Sequence, residues 1–263
     1  MSIPGEVLLE ARDLRFSYSP AKPVICDVSL ALQRGTTGAV IGPNGCGKST
    51  LIRLLAGLLE PSEGKIEYEG AMLPSIEPRL LAKQMAYVSQ STPRTFPFTA
   101  LEVVLTGRTP YIPRFQFESR RDIQKAWAAL ETVGVSELAQ RRVTELSGGE
   151  RQLVSVARAL AQEPACLLLD EPSASLDLKH RAGLMRTLAG LRKQSGLTVL
   201  MVTHDLSLLE PGFDIIFAMR RGELVAQGPP AEVLHSTVLA DIYDDLHIRT
   251  RHLEGRTFVW SEV

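Results

Sequence analysis

The feature that most constrains the fold is a glycine-rich loop, GPNGCGKST, at residues 42–50. It follows TTGAVIG, a short apolar stretch that predicts a strand, and it opens into KSTLIRLLAGLL, whose apolar residues recur at helical spacing. A strand that runs through such a loop into a helix is the context that the phosphate-binding P-loop pattern GxxxxGK[ST] requires. The loop therefore predicts an α/β core that binds a nucleotide.

The chemistry of phosphate binding suggests roles for the residues of this loop. Backbone N–H groups of a glycine-rich turn can surround phosphate oxygens, Lys48 can neutralise the β- and γ-phosphates, and the Ser49 hydroxyl can bind Mg²⁺. Because Cys46 lies near Lys48 and a helix N-terminus, we expect the pKa of its thiol to be lowered. The predicted ATP-binding residues of the loop are Gly42, Pro43, Asn44, Gly45, Cys46, Gly47, Lys48, Ser49 and Thr50.

A second apolar run, CLLL at 166–169, ends in two adjacent carboxylates. A run that is apolar at every position predicts a strand buried on both faces of a parallel sheet. Asp170 and Glu171 would then emerge at its carboxyl end, where open α/β sheets bind ligands. We expect Asp170 to hold Mg²⁺ and Glu171 to orient and deprotonate the attacking water.

Three further residues are candidates by their place on predicted strands. His204 follows the apolar strand LTVLMV and could donate a hydrogen bond to the γ-phosphate. Gln90 ends MAYVSQ and could reach the metal or the attacking water through its amide. Tyr18 or Phe16, on one face of the first strand, could stack on adenine. The alternative for each aromatic residue is packing against the strand's buried face.

The stretch SGGE, at 147–150, predicts a second anion site. Ser147 and Glu150 have the spacing of a capping box, and Gly148 and Gly149 leave the first N–H groups of the helix open. One triphosphate needs only one cradle, so we expect a head-to-tail dimer with each ATP between the P-loop of one copy and SGGE of the other. Asp177 would lie at the dimer seam. ATP binding would close this dimer and hydrolysis would open it.

Between the two motifs, the pattern changes to mostly helical. Thr99 and Glu102 form another capping-box pattern, and Ile123, Ala126, Trp127 and Leu130 have amphipathic helical spacing. We therefore predict a single domain, 1–263, with a core lobe at 1–91 and 159–263 and a helical insertion at about 92–158. The last twenty residues, DDLHIRTRHLEGRTFVWSEV, predict a short hairpin of unassigned role.

Composition narrows the class of protein. The net charge of −1 argues against broad nucleic-acid binding, so we expect no nucleic-acid partner. No apolar run reaches the length of a membrane span, and the N-terminus lacks the pattern of a secretory signal. The three cysteines are widely spaced, which fits a reducing cytoplasm better than a disulfide framework.

The combined motifs resemble the ATP-binding cassette (ABC) family. This resemblance implies a RecA-like P-loop core with an inserted helical subdomain and an N-terminal antiparallel β subdomain. It also implies ATP and Mg²⁺ as ligands, an ATP-sandwich homodimer, membrane permease subunits and, indirectly, a substrate-binding protein. The chain would be peripheral, at the cytoplasmic face of the inner membrane. The resemblance is carried by 42–50, Gln90, LSGGE at 146–150, LLLDEP at 167–172, SLD at 175–177 and His204.

Within that family, the chain is similar to ATPases of importers for iron–siderophore chelates, haem and cobalamin. MAYVSQ, FTALEVVLTGRTPY and the tail after GELVAQGPPAEVL carry this similarity. By the same resemblance, the groove near Gln90 and residues of about 92–111 would receive the permease. Arg108 could contact it there, or could be a solvated residue or a local anchor. The sequence departs from the usual pattern at Glu150, where Gln is commoner, and in ASLD, which puts the role of Ser175 in doubt.

Two other functions compete with this interpretation. The chain could serve another class of transporter, including an exporter. It could also act outside transport, on DNA or the ribosome. The DNA-repair relatives insert long coiled coils between the P-loop and the signature, and the ribosomal relatives carry two cassettes. This chain has one cassette and no sustained heptads between Lys48 and Ser147.

Overall fold

The computed structural model describes residues 5–19, 22–90, 97–210 and 212–262. The strands are β1 (Val7–Ser19), β2 (Lys22–Gln33), β3 (Thr37–Ile41), β4 (Glu63–Tyr68), β5 (Ala71–Met72), β6 (Met85–Val88), β7 (Cys166–Asp170), β8 (Thr198–Val202), β9 (Ile215–Arg220), β10 (Glu223–Gly228), β11 (Ile248–Leu253) and β12 (Arg256–Ser261). The α-helices are α1 (Lys48–Leu55), α2 (Pro78–Gln84), α3 (Ala100–Leu105), α4 (Arg120–Val133), α5 (Gly148–Leu160), α6 (Leu178–Ser195), α7 (Pro230–Val233) and α8 (Ser236–Tyr243). Short 3₁₀ helices connect several of them, among them Thr106–Tyr111 and Leu206–Leu208.

The chain divides into two compact units. The first consists of Met1–Ile76 and Thr198–Val263, and the second is Glu77–Leu197. The predicted helical insertion, at about 92–158, falls within the second unit, and its residues 92–96 lie outside the described part of the chain. The boundaries of the insertion stay a prediction.

The first unit holds parallel and antiparallel strands, as expected. β1 and β4 pair antiparallel, and so do β1 and β2, which gives the order β2-β1-β4-β5 in the N-terminal sheet. Strand β3 pairs in parallel with both β8 and β9. Strand β10 pairs antiparallel with β9 and is the edge strand of this sheet. All five residues of β3 and of β8 are buried, because each strand is covered on both faces. The predicted α/β class and the antiparallel β subdomain are confirmed.

The C-terminal hairpin is also present in the first unit. Strands β11 and β12 pair in register from Ile248 opposite Ser261 to Leu253 opposite Arg256. The turn between them contains Gly255 at φ 76°. No helix within the described residues is both long and apolar enough to cross a lipid bilayer.

The second unit is built around helices α3, α4 and α5 and the parallel strand pair β6 and β7. The predicted capping box at Thr99 and Glu102 is present at the start of α3. In α4, Ala126 and Leu130 are fully buried, whereas Ile123 is 39% exposed. The amphipathic face is therefore narrower than the sequence pattern suggested.

Arg108 is an anchor inside the second unit. Its side chain is only 3% exposed and pairs with Asp122 and Glu163 at 3.1 and 2.9 Å. It also donates a hydrogen bond of 2.6 Å to the Ala161 carbonyl, and its guanidinium lies 3.8 Å from the centre of the Tyr111 ring. Of the alternatives that the sequence left open for Arg108, these contacts favour the local anchor and exclude a solvated side chain, because it is buried against its own unit.

Candidate nucleotide-binding and catalytic site

The P-loop begins directly after β3, at Gly42. A residue with a side chain at this position would force the neighbouring backbone to shift. Gly42 has φ +142°, and a Cβ built on it would lie 2.1 Å from the Met219 carbonyl oxygen. The ammonium of Lys48, which is 5% exposed, donates to the carbonyl oxygens of Gly42 and Pro43 at 2.8 and 2.9 Å. The loop is thus wrapped around a buried positive charge.

The remaining residues of the loop differ in exposure. Asn44 and Gly45 are exposed at its tip, while Gly47 is the N-cap of α1. Ser49 is half-buried in the first turn of α1, and Thr50 is buried beside it. The loop therefore presents its tip to solvent and holds its basic and hydroxyl groups at the start of the helix.

The prediction for Cys46 is wrong. Its thiol is 5% exposed, and burial raises its pKa although Lys48 opposes this. Removal from water disfavours the thiolate more than the nearby ammonium favours it. The sequence showed the neighbouring charge but not the burial.

Tyr243, which the sequence analysis missed, lies against the same loop. Burial raises the pKa of its hydroxyl to about 12, and the backbone of Gly42 forms a hydrogen bond with it. Tyr243 ends α8, about two hundred residues beyond the loop. No local sequence pattern indicates this contact.

Tyr18 lies close to the helix that follows the P-loop. Its hydroxyl is 3.3 Å from the Thr50 hydroxyl, and its side chain is 59% exposed. The ring of Phe16 meets the Tyr18 ring edge-on, with 4.9 Å between centroids and an interplanar angle of 90°. Tyr18 therefore presents an exposed aromatic ring beside the P-loop, and the Phe16 ring packs against one side of it.

His204 lies at the same edge of the first unit's sheet as Gly42. The parallel register pairs Val40 with Val202, and Gly42 and His204 each come two positions after their member of that pair. A hydrogen bond of 3.2 Å from the Thr203 N–H to the Val40 carbonyl continues the pairing past the end of β8. The exposed His204 side chain thus belongs to the edge where the P-loop begins.

In the second unit, strand register brings Gln90 and Glu171 together. Val88 of β6 pairs with Leu169 of β7, so the residues two positions further on are neighbours. The Gln90 amide donates to the Glu171 carboxylate at 2.8 Å. Glu171 has φ +50°, an uncommon conformation for this residue type. The hydrogen bond from Gln90 thus orients this carboxylate.

Asp170 precedes it and is completely buried. Its carboxylate accepts a hydrogen bond of 3.4 Å from the Tyr87 hydroxyl, and its side chain has further contacts within the chain. A buried carboxylate is costly unless hydrogen bonds or cations compensate it. The strand therefore presents one buried and one partly exposed carboxylate in succession.

The predicted capping box at the start of α5 is present. The Glu150 N–H donates to the Ser147 hydroxyl at 3.2 Å, and the Ser147 N–H donates to the Glu150 carboxylate at 2.7 Å. The hydrogen bond from the Ser147 N–H is the main cause of a lowered Glu150 pKa. Gly148 is exposed and Gly149 is half-buried, so the first turn is open on one side.

Ser175 packs on the other side of this turn. A Cβ built on Gly149 would lie 3.0 Å from the Ser175 carbonyl oxygen, and the Ser175 hydroxyl is 3.5 Å from the Gly148 carbonyl. Two residues later, the exposed Asp177 caps α6 and accepts a hydrogen bond of 2.8 Å from the His180 N–H. That N–H is the main cause of its lowered pKa. The segment 172–177 is thus attached to the SGGE turn.

Comparison with known proteins identifies this set of motifs. The family model described as "ABC transporter" matches residues 25–174, which is more than half of the chain. The chain belongs to the ABC transporter family. It is an ABC ATPase, and ATP is the nucleotide that this domain binds and hydrolyses.

Curated relatives of this ABC ATPase are import proteins. The hemin import ATP-binding protein HmuV of Nocardia farcinica is 40% identical over 243 residues, which cover 91% of this chain and 83% of that protein. The phosphonates import ATP-binding protein PhnC of Chromohalobacter salexigens is 38% identical over 243 residues, which cover 90% and 89%.

Solved structures agree with this family. An inward-facing transporter described as of the metal-chelate type has a TM-score of 0.84 at 29% identity and covers 98% of both chains. A dimeric cassette, MJ0796 bound to ADP and Pi, has a TM-score of 0.75 at 26% identity and covers 85% of this chain and 99% of that one.

Proposed function

We propose that this ABC ATPase powers a membrane importer for an iron–siderophore chelate, haem or cobalamin through a separate permease. The observation that carries the proposal is the match over nearly the whole chain to a transporter of the metal-chelate type, together with 40% identity to a hemin import protein. The chain would be peripheral, at the cytoplasmic face of the inner membrane. A substrate-binding protein would deliver the cargo to the permease.

The nucleotide would be held by the P-loop. Lys48 supplies a positive charge at the phosphates, and the open N–H groups around Asn44 and Gly45 supply donors. Tyr18 offers an exposed ring for adenine, supported by its contacts with Phe16 and Thr50. His204, at the edge where the loop begins, would donate to the γ-phosphate.

Ser49 of the first unit and Gln90 and Asp170 of the second each carry an oxygen of the hydroxyl, carbonyl or carboxylate type that magnesium prefers, and we assign them to Mg²⁺ by residue type. When bound, Mg²⁺ would neutralise charge on the phosphates. The full burial of Asp170 supports this assignment, because a carboxylate in that position gains from a nearby cation.

Glu171 would orient the attacking water and accept its proton. The hydrogen bond from Gln90 supports this role, because it limits the directions in which the carboxylate can point. General-base assistance of this kind contributes about 10²–10⁴-fold to a rate. Gln90 thus acts by positioning Glu171 as well as by offering its own amide oxygen.

A second copy of the chain would complete each site. The exposed start of α5, at Ser147, Gly148 and Gly149, is a helix N-terminus that suits phosphate, and the P-loop already supplies one set of phosphate donors. The dimeric relative with ADP and Pi supports this arrangement. Asp177, exposed beside the SGGE turn, would lie at the seam between the copies.

A dimer test uses the Glu171→Gln variant. We expect it to bind ATP, to hydrolyse it at least ~10²-fold more slowly and to form a stable dimer with ATP, because general-base assistance is lost. Size-exclusion chromatography with light scattering measures the mass. A variant that stays monomeric with saturating ATP would contradict the shared site.

The cargo is tested with the permease that co-purifies with the tagged chain. Reconstituted in proteoliposomes with its binding protein, the complex should take up haem, a ferric siderophore or cobalamin when ATP is present, and the complex with Glu171→Gln should not. The relation to PhnC favours phosphonate as a second candidate, so methylphosphonate is the matched alternative cargo. Uptake of phosphonate alone would replace the chelate proposal.

A further inference from the structure

An exposed pair of aromatic side chains lies outside the nucleotide site. The segment 112–119, IPRFQFES, joins the 3₁₀ helix Thr106–Tyr111 to α4, and we call it the aromatic loop. Phe115 and Phe117 in this loop are 93% and 92% exposed. Phenylalanine is usually buried, so two nearly naked rings two residues apart require a reason.

The backbone at Phe115 has a conformation that is unfavourable for a phenylalanine. The Gln116 N–H donates to the Pro113 carbonyl at 3.1 Å, which closes a tight turn with Phe115 as its third residue. Phe115 has φ +67° there. Glycine or asparagine normally occupies such a position, because a bulky side chain is strained at positive φ. Strain that is retained in a folded protein is often associated with a functional site.

The base of the aromatic loop is firmly attached to the second unit. At one end, Arg79 donates hydrogen bonds to the carbonyl oxygens of Pro110 and Ile112 at 2.8 and 2.6 Å. At the other end, the Ser119 N–H donates to the Asp122 carboxylate at 3.0 Å within a capping box. The loop therefore presents its two rings from fixed ends.

Positively charged residues flank the two rings in the sequence, and the Arg114 guanidinium lies 5.3 Å from the centre of the Phe115 ring. Arg114, Arg120 and Arg121 are exposed, and Glu118 is the one acidic residue between them. Within the described ranges, none of these arginines makes an ion pair. Arg120 and Arg121 are the first two residues of α4, where the helix dipole disfavours positive charge. The two arginines therefore do not stabilise the helix through its dipole, but they add positive charge next to the aromatic loop.

We propose that the aromatic loop binds the surface of an anionic lipid bilayer. Phe115 and Phe117 would enter the headgroup region, and the arginines would lie against lipid phosphates. Aromatic rings favour the membrane–water interface, and basic residues are attracted by anionic lipids. A second copy of the loop is a poor partner, because a face-to-face contact would bring like charges together. This inference does not depend on the proposed cargo or permease.

The test is flotation of the purified full chain with vesicles of phosphatidylcholine alone or of equal parts phosphatidylcholine and phosphatidylglycerol. We expect binding to the anionic vesicles to be at least ~10-fold stronger and to weaken in high salt. Phe115→Ala with Phe117→Ala should reduce binding at least ~10-fold. Replacing Arg114, Arg120 and Arg121 by glutamine should remove the preference for anionic vesicles.

The C-terminal hairpin supplies a matched control. Phe258 and Trp260 are 53% and 44% exposed and lie opposite Arg251 and Arg249 across the strands. Phe258→Ala with Trp260→Ala should bind vesicles as the wild type does. A second readout is Phe117→Trp, whose fluorescence should shift to the blue on anionic vesicles after subtraction of the wild-type signal.

Several results would overturn the proposal. These are wild-type protein that does not float with anionic vesicles, binding that survives the double phenylalanine variant, or loss of binding in the hairpin variant alone. Failure to bind vesicles, combined with loop-dependent binding to a purified membrane protein, would also reject lipid as the partner and assign the loop to a protein contact.

Discussion

Replacing Arg108 tests whether it is an anchor, and it does so without any partner protein. Arg108→Met keeps a long apolar side chain but removes the charge and all the donors. The variant loses the ion pair with Asp122, the hydrogen bond to the Ala161 carbonyl and the bond to Glu163. A residue that serves only a permease would leave the stability of the isolated chain unchanged.

The expected cost follows from burial. Removing one partner of a buried ion pair costs about 3–5 kcal/mol, because the other charge is left uncompensated. Asp122 keeps its hydrogen bonds to Ser119, and the Glu163 side chain is 41% exposed, so its pair with Arg108 contributes little. We therefore expect the lower end of that range, about 3 kcal/mol.

The assay is urea unfolding of the purified chain, with the free energy of unfolding compared between variants. Glu163→Gln is the matched control and should cost less than about 1 kcal/mol, because that carboxylate is partly exposed. A double-mutant cycle of Arg108→Met with Asp122→Asn should give a coupling energy of about 2 kcal/mol.

Two results would refute this reasoning. If Arg108→Met costs less than Glu163→Gln, the buried network does not stabilise the unit. If the cycle shows no coupling, the ion pair with Asp122 is not the cause of the loss.

The other predictions concern the nucleotide site. Lys48→Ala should weaken ATP binding at least ~100-fold by calorimetry, because phosphate loses its cation, and normal binding would contradict the P-loop assignment. Ser147→Arg should keep ATP binding but prevent the dimer in the Glu171→Gln background, so an ATP-dependent dimer would count against the shared site. Cys46 should react slowly with maleimide at pH 8 and faster as the pH rises, since burial raises its pKa. Half-buried Cys26 is the internal comparison and should be labelled faster than buried Cys46. Faster labelling of Cys46 than of Cys26 would contradict the prediction.

The sequence alone was sufficient wherever a structure is made by hydrogen bonds between near neighbours. The P-loop, the capping boxes at Ser147 and Thr99, and the C-terminal hairpin were all readable from short patterns, because residues that are close in sequence form each of them. The buried parallel strands were readable from uninterrupted apolar runs. These elements determine the fold class and most of the candidate site residues.

Only the tertiary structure decided features that depend on distant residues. No local pattern indicates the register between β6 and β7, so the sequence alone could not place Gln90 against Glu171. It showed Lys48 beside Cys46 but not the burial that reverses the expected pKa shift. Likewise, nothing in the segment around Arg108 shows that α4 and the end of α5 enclose it. Burial and long-range contacts fix the charge state and role of such side chains, and they arise only when the chain is folded.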